Sequence, residues 1–300
     1  MNRSQRIHTG LRRAVRMALN RLLAPLGLLL LMTSAYADES CNNLQDKVIK
    51  GQPFQFFDGL IYNAKPSLSK YGLKPILIVD RGIWPAGGSH SSPPDPALVK
   101  GIMQKAADDG TPVMLDFEGF PLTGTDAVVG DSLAKLTAIV KAFKVAAPNR
   151  DYGFYSVLPL RDYWRAVSGV GTAKYRQWQA ENDRLRSLEP EVEVLFPPLY
   201  TFYNDREGWV KYAKAQICEA RRLSKKPVHV LIWPEYHDSS ALRNTAIDAD
   251  FWKLQLETSR QYADGVIIWG GYDFIKKQRA SWDENASWWR ATQEFLSKKQ

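Results

Sequence analysis

Short, uninterrupted apolar runs recur along the chain at 53–57, 74–80 (KPILIVD), 112–115, 151–157 (DYGFYSV), 192–200 (VEVLFPPLY), 227–233 (PVHVLIW) and 265–269 (GVIIW). Runs of this length, closed off by turn formers or an acid, predict buried strands. Between them, segments 97–107, 132–146, 162–188, 205–223, 248–263 and 282–298 space their apolar residues as helices do, the third broken near Gly169 and Gly171. Continuous apolar strands joined by helical crossovers make a parallel sheet covered on its outside. With no internal linker or repeat, this α/β alternation predicts a TIM-type (β/α) barrel of seven or eight strands, regular or distorted. A Gly-rich dinucleotide fingerprint after the first strand is absent, which weighs against an open doubly wound sheet.

The first 37 residues break the pattern. They hold Arg3, Arg6, Arg12, Arg13, Arg16 and Arg21 with no acid, then an apolar block at 22–32, then Ala35-Tyr36-Ala37. A basic head, an apolar centre and a small-x-small site predict a secretory signal peptide, 1–37, and a single catalytic domain, 38–300. The apolar block is too short for a standard membrane span, so no stable membrane insertion is expected after cleavage. The mature protein is expected in the periplasm or outside the cell. Cleavage leaves thirty-four basic against thirty-two acidic residues, a formal charge of +2 in place of +8. The basicity is therefore mostly a targeting signal, and no nucleic-acid partner is expected. Two cysteines, Cys41 and Cys218, either form one disulfide in an exported protein or stay as separate thiols. A monomer is favoured.

Chemistry concentrates where the third run of this alternation ends, at Val113-Met-Leu-Asp116-Phe-Glu118-Gly-Phe120. Residues i and i+2 of a strand share a side, about 6.5–7 Å apart, so Asp116 and Glu118 leave the strand together. A carboxylate pair at the end of a core strand is costly unless solvent or a task keeps it there. A barrel places its chemistry at the C-terminal ends of its strands, which here carry Asp80, Asp116 with Glu118, Tyr155, Tyr200, Glu235 and Trp269. Acids at a bond and aromatic walls around a ring are what a sugar-cleaving pocket needs. Ten Trp and thirteen Tyr suit either such a cleft or a large aromatic core. Four His and two Cys form no apparent ligand cluster, so neither a metal nor another cofactor is expected.

Across most of the mature chain the sequence resembles the hyaluronidases of glycoside hydrolase family 56. The residues that carry the likeness are Ile76-Leu-Ile-Val-Asp80-Arg-Gly-Ile-Trp-Pro85, Leu115-Asp116-Phe117-Glu118, Tyr152-Gly-Phe-Tyr155, Glu181-Asn-Asp-Arg-Leu185, Phe196-Pro-Pro-Leu-Tyr200 and Val266-Ile-Ile-Trp269-Gly270. The resemblance implies a polysaccharide substrate containing N-acetylhexosamine. It implies Glu118 as general acid/base and Asp116 orienting the acetamido group, whose oxygen is the nucleophile in place of an enzyme carboxylate. It further implies that Tyr200 holds the acetamido group, Tyr155 lines the same subsite and Trp269 floors the ring. A general acid needs a raised pKa, and burial beside another carboxylate raises one member of such a pair. The chain departs from the family at Phe54-Gln-Phe-Phe57, where a Trp-Asn pair is usual, and at Gly119-Phe120-Pro121, where animal enzymes carry Arg.

Two other readings fit the residues. Glu118 can pair with Glu235 or Asp273 as an ordinary retaining enzyme does, with carboxyls about 5–5.5 Å apart. Alternatively the barrel is a non-catalytic carbohydrate-binding protein of the cell envelope, since fold alone does not secure function.

Overall fold

The computed structural model describes residues 53–88, 90–105 and 110–298. Their strands follow one another around a closed circle in chain order. β1 (Gln55–Leu60) pairs in parallel with β2 (Leu73–Pro75); β3 (Leu77–Val79) pairs with β4 (Val113–Leu115), and β4 with β5 (Tyr152–Phe154). Parallel bridges Tyr155–Phe196, Leu195–Val228 and Pro198–Leu231 then carry the ladder across the 194–201 segment to β6 (His229–Ile232). β6 pairs with β7 (Gly265–Gly270), and β7 returns to β1. Counting β2 and β3 as one bent strand, seven parallel strands close a (β/α) barrel among the described residues.

The two irregular strands have visible causes. The 74–80 run bends because Pro75 has no N–H to give; its lower half serves β1 and its upper half β4. The 192–200 run is held by isolated bridges because Pro197 and Pro198 interrupt the ladder. Helical side chains satisfy what those prolines expose. Tyr212 Oη donates to the Pro198 carbonyl at 2.8 Å, and Trp209 Nε1 to that of Leu199 at 2.9 Å. Tyr200 follows directly.

Helices cover the outside: α1 (Pro96–Lys105), α2 (Asp126–Ala146), α3 (Tyr163–Val167), α4 (Ala173–Asp183), α5 (Arg206–Leu223), α6 (Ala249–Tyr262) and α7 (Ser287–Ser297). Side-chain caps set many of their starts, as Thr125 does for α2, Asp162 for α3, Thr172 for α4, Asp205 for α5 and Asp248 for α6. Helix α2 starts six residues before the apolar spacing predicts, at the Thr125 cap, with Gly130 inside it. The 162–188 segment splits into α3, α4 and a 3-10 turn, Arg186–Glu191, at the expected Gly169–Gly171 break and again after Asp183. β1 runs on past Phe57 because Asp58, an apparent stop, points outward to an ion pair with Lys65. An unforeseen hairpin, β8 (Tyr272–Asp273) with β9 (Gln278–Arg279), delays α7.

Strand periodicity divides the core in two. Phe57, Met114, Phe196, Leu231 and Ile267 pack together inside the barrel, with Ile76 and Ile78 against them. Their neighbours Phe56, Val113, Leu115, Val230 and Ile268 belong to the cluster shared with the helices. Gly153 is where the lumen tolerates no side chain: a Cβ there would collide with the Val194 carbonyl and lie 2.8 Å from the Phe196 ring. Cys218 is buried on α5 and disulfide-bonded, while Cys41 and residues 1–37, expected to be a signal peptide, lie outside the described residues. Among the described residues no helix is long and apolar enough to cross a membrane.

Candidate active site

Six of the seven lumen rows end in a residue that can do chemistry or stack on a ring; the β1 row passes from Phe57 to Gly59. Ile78 is followed by Asp80, Met114 by Asp116, Gly153 by Tyr155, Pro198 by Tyr200, Leu231 by Trp233 and Ile267 by Trp269. The period of two therefore delivers these side chains to one mouth of the barrel. Asp116 is anchored by its neighbours on both sides: its N–H donates to the Val79 carbonyl at 2.8 Å, and Tyr155 N–H to that of Leu115 at 3.1 Å.

Burial falls on Asp116. Its Oδ1 is enclosed with no hydrogen-bond partner, and its carboxyl is pushed up to about 7. Desolvation is the largest cause, followed by the like charges of Glu118 and Asp80; the Arg161 guanidinium opposes them. Glu118 stands exposed in the turn beyond the strand, beside a cavity of about 190 Å³ whose other lining residues include Phe120, Tyr155, Ser156 and Arg161. Ser156 takes the left-handed conformation, φ 59°, turning the chain sharply after Tyr155.

Tyr155 and Tyr200 are both buried, share a hydrogen bond through their hydroxyls and hold their rings 6.1 Å apart. Desolvation first, then neighbouring acids, pushes both phenols well up, so each keeps its proton as a donor. Trp269 lies 5.8 Å from Tyr200 and edge-on to Trp233 at 4.8 Å. The other two predicted residues sit at the rim. Asp80 is exposed and held down chiefly by its hydrogen bond from Arg81. Glu235 is half-buried, pushed up by burial and then by Asp273. Asp273 and Tyr62 are among its charged and phenolic neighbours. Asp273 spends its own carboxylate on the β8–β9 turn, accepting from the Ile275 and Lys276 N–H groups at 3.0 and 2.9 Å.

Arg161, His237, Phe202 and Trp233 complete the mouth and were not foreseen. Arg161 donates to Tyr155 Oη at 3.3 Å, meets His237 Nε2 at 3.4 Å and lies over the Phe202 ring. Its loop is pinned from behind: Leu160 N–H donates to Asn182 Oδ1 at 2.8 Å, and the Leu160 carbonyl accepts from Trp178 and Gln216. The Asn182 of the 181–185 helix motif thus acts through that loop. His237 is held to about 4 by burial and by Arg161, with Asp238 opposing, so its ring is neutral near pH 7. Trp233 was readable in principle, since it shares lumen parity with Leu231. Arg161 and His237 lie on loops whose paths no local pattern records. Among the described residues no group of three or more His, Cys, Asp or Glu is placed to hold a metal ion.

No family model and no curated protein matches the chain. Solved structures do. Bee venom hyaluronidase matches at TM-score 0.57 and 18% identity, over 82% of this chain and 97% of that one. The same bee enzyme in complex with a hyaluronic acid tetramer matches at TM-score 0.54 and 16% identity, over 81% and 95%. A family 18 chitinase from Pseudoalteromonas aurantia matches at 0.44 and 15%, over 78% of each chain. The likeness to the bee enzyme is one of fold: this chain is a TIM-type barrel.

Proposed function

We propose that the protein is an exported glycoside hydrolase that cleaves an N-acetylhexosamine-containing polysaccharide with help from the substrate's own acetamido group. The observation that carries this is the meeting of Asp116, Glu118, Tyr155, Tyr200 and Trp269 at one barrel mouth, with a buried acid whose Oδ1 has no partner in the protein. A buried, unpartnered carboxylate oxygen is expensive, and a ligand N–H would satisfy it.

The reaction runs in two steps. Glu118, exposed to the cleft, gives its proton to the glycosidic oxygen as the bond from C1 breaks. The acetamido oxygen closes on C1 from the opposite face, forming an oxazolinium ring. Asp116, ionised at that moment, accepts the acetamido N–H and offsets the ring's positive charge. Desolvation and then the like charge of Glu118 push Asp116 up, so loss of that charge favours the ionised form of Asp116. Tyr200 turns its hydroxyl hydrogen from Tyr155 to the acetamido oxygen, while Arg161 holds Tyr155 Oη beside it. Glu118 then takes a proton from water, which attacks C1 and returns the sugar with retained configuration. Trp269 and Trp233 wall the ring.

In this reading no enzyme carboxylate opposes Glu118; the alternative, a retaining pair of Glu118 with Glu235 or Asp273, needs no acetamido group on the substrate. The test is Glu118→Gln, assayed by reducing-end release from hyaluronan, chondroitin, chitin and amino-sugar biofilm polysaccharide. Turnover on the polymer that wild type cleaves is expected to fall by about 10³ with the fold intact, since the amide has no proton to give. A thiazoline analogue of the N-acetyl sugar is expected to inhibit. Near-full activity in the variant, or no inhibition by any such analogue, overturns the assignment.

A further inference from the structure

The carboxylates lie beside one point of a longer line of rings. From Tyr200 the line runs to His237 at 5.8 Å, from His237 to Phe202 at 4.7 Å, on to Tyr203 at 6.4 Å and to Trp164 at 5.2 Å. In the other direction it passes from Tyr200 to Trp269 at 5.8 Å and to Phe274 at 6.3 Å. The inner rings are accounted for by the sugar at the cleavage point; the outer ones are not. Trp164 is 64% exposed and Tyr203 is 42% exposed, and with Tyr163 they touch one another at 5.0–5.2 Å.

Single exposed apolar side chains are ordinary, but a mutually packed group of large rings is not. This group is also held rigid. Asp162 caps α3 and binds Arg165, which is tied in turn to Glu181 at 2.8 Å. Asp205 caps α5 just beyond Tyr203. Trp164 lies on α3 after β5, and Tyr203 in the connection after the 194–201 segment, so both belong to strand-to-helix connections, the side on which the carboxylates stand. Flat faces that need no reordering, continuous with a cleft that bears acids, suit pyranose rings: each sugar lays its C–H face on a ring and turns its hydroxyls to solvent.

We propose that Trp164 and Tyr203 form a distal sugar-binding platform for the polymer being cut, so that the chain lies across the mouth and is cleaved internally. This rests on the mouth being a sugar-cleaving site. It adds that units remote from the broken bond are bound, because rings extend to both sides of Tyr200.

The test uses Trp164→Ala and the ring-keeping Trp164→Phe. In native gels carrying glycol chitin, hyaluronan or chondroitin, the Glu118→Gln protein should be retarded by at least one polymer. Adding Trp164→Ala should weaken that retardation roughly five- to tenfold, the scale of one stacking contact, and Trp164→Phe should restore most of it. In the otherwise wild-type enzyme, the ratio of kcat/KM on that polymer to kcat/KM on its tetrasaccharide should fall by a similar factor. An unchanged ratio and unchanged retardation, or no retardation by any of the three polymers, overturns the platform. So does concentration-dependent self-association that Trp164→Ala abolishes while retardation persists, which makes the patch a protein contact. Trp164-dependent retardation without reducing-end release by wild type overturns cleavage and leaves the platform standing; cleavage with an unchanged ratio does the reverse.

Discussion

At its N-terminal mouth the barrel encloses a cavity of about 420 Å³ lined by Lys74, Asp151, His229 and Asp264, against about 190 Å³ beside Glu118 at the other mouth. Both ends are rich in charge. They differ in what the charge is used for. At the lower mouth Asp264 Oδ2 accepts from Arg221 Nη1 at 2.6 Å and from the Val228 N–H at 2.8 Å, and Lys74 donates to Gln55. His229, wedged against Phe57 and Phe196, is held to about 4 by burial and stays neutral. At the upper mouth Asp116 keeps a buried oxygen without a partner, beside two other acids, Glu118 and Asp80, and one arginine, Arg161. Volume alone would pick the wrong end. An unbalanced acid, surrounded by rings, separates a site that awaits a ligand from one that holds the fold together.

One substitution in each mouth gives the widest separation. Glu118→Gln acts on turnover by about 10³ while sparing stability, because its side chain is exposed. Asp264→Ala does the opposite. It strands the Arg221 guanidinium, whose side chain is 3% exposed, and leaves the Val228 N–H unpaired. Breaking a buried pair in this way costs about 3–5 kcal/mol, read by urea unfolding, while kcat per folded molecule stays within about twofold. A turnover loss in folded Asp264→Ala comparable to that of Glu118→Gln would erase the distinction between the two ends.

The part of the site that was legible is the part that strand geometry writes into the chain. Asp116, Tyr155, Tyr200 and Trp269 sit at fixed parity from Met114, Gly153, Pro198 and Ile267, and parity decides which face a side chain takes. Loop residues carry no such mark. Arg161 reaches Tyr155 because Asn182, Trp178 and Gln216, contributed by two helices, hold Leu160. His237 follows a chain reversal in which Glu235 bridges Ala246. The β8–β9 hairpin escaped notice because its strands have two residues each, too few to show a period. The start of α2 was readable from Thr125 and passed over because its first turn is exposed and Gly130 interrupts the apolar spacing. The division of labour within the carboxylate pair was not written locally either. It depends on what closes over Asp116 from other strands and leaves Glu118 open.

That division yields the smallest effect and the most specific one. The Asp116 carboxyl is raised in the fold to about 7 from an ordinary value of 3.8. Between those two values the folded protein binds more protons than the unfolded chain, so Asp116 lowers stability as pH rises through that window and adds nothing further above it. Asp116→Asn cannot ionise. The variant should therefore be more stable than wild type at about pH 8, by on the order of 1–3 kcal/mol after allowing for partial solvation. The advantage should shrink as pH falls towards 4 and vanish below the ordinary value of 3.8, where wild-type Asp116 is protonated in both states. His229 and His237 work in the opposite sense. Both are lowered to about 4 from 6.5, so their contribution is complete above about pH 6.5 and is lost as pH falls towards 4. They are common to wild type and variant, and the difference between the two isolates Asp116. The same variant should lose about 10²-fold or more in turnover, since a neutral amide cannot offset an oxazolinium charge. A gain in stability joined to a loss of function is the mark of a group kept in place for its chemistry. Urea unfolding of both proteins at about pH 4.5, 6 and 8 decides the matter: a stability difference that does not change with pH would mean that the fold does not raise Asp116.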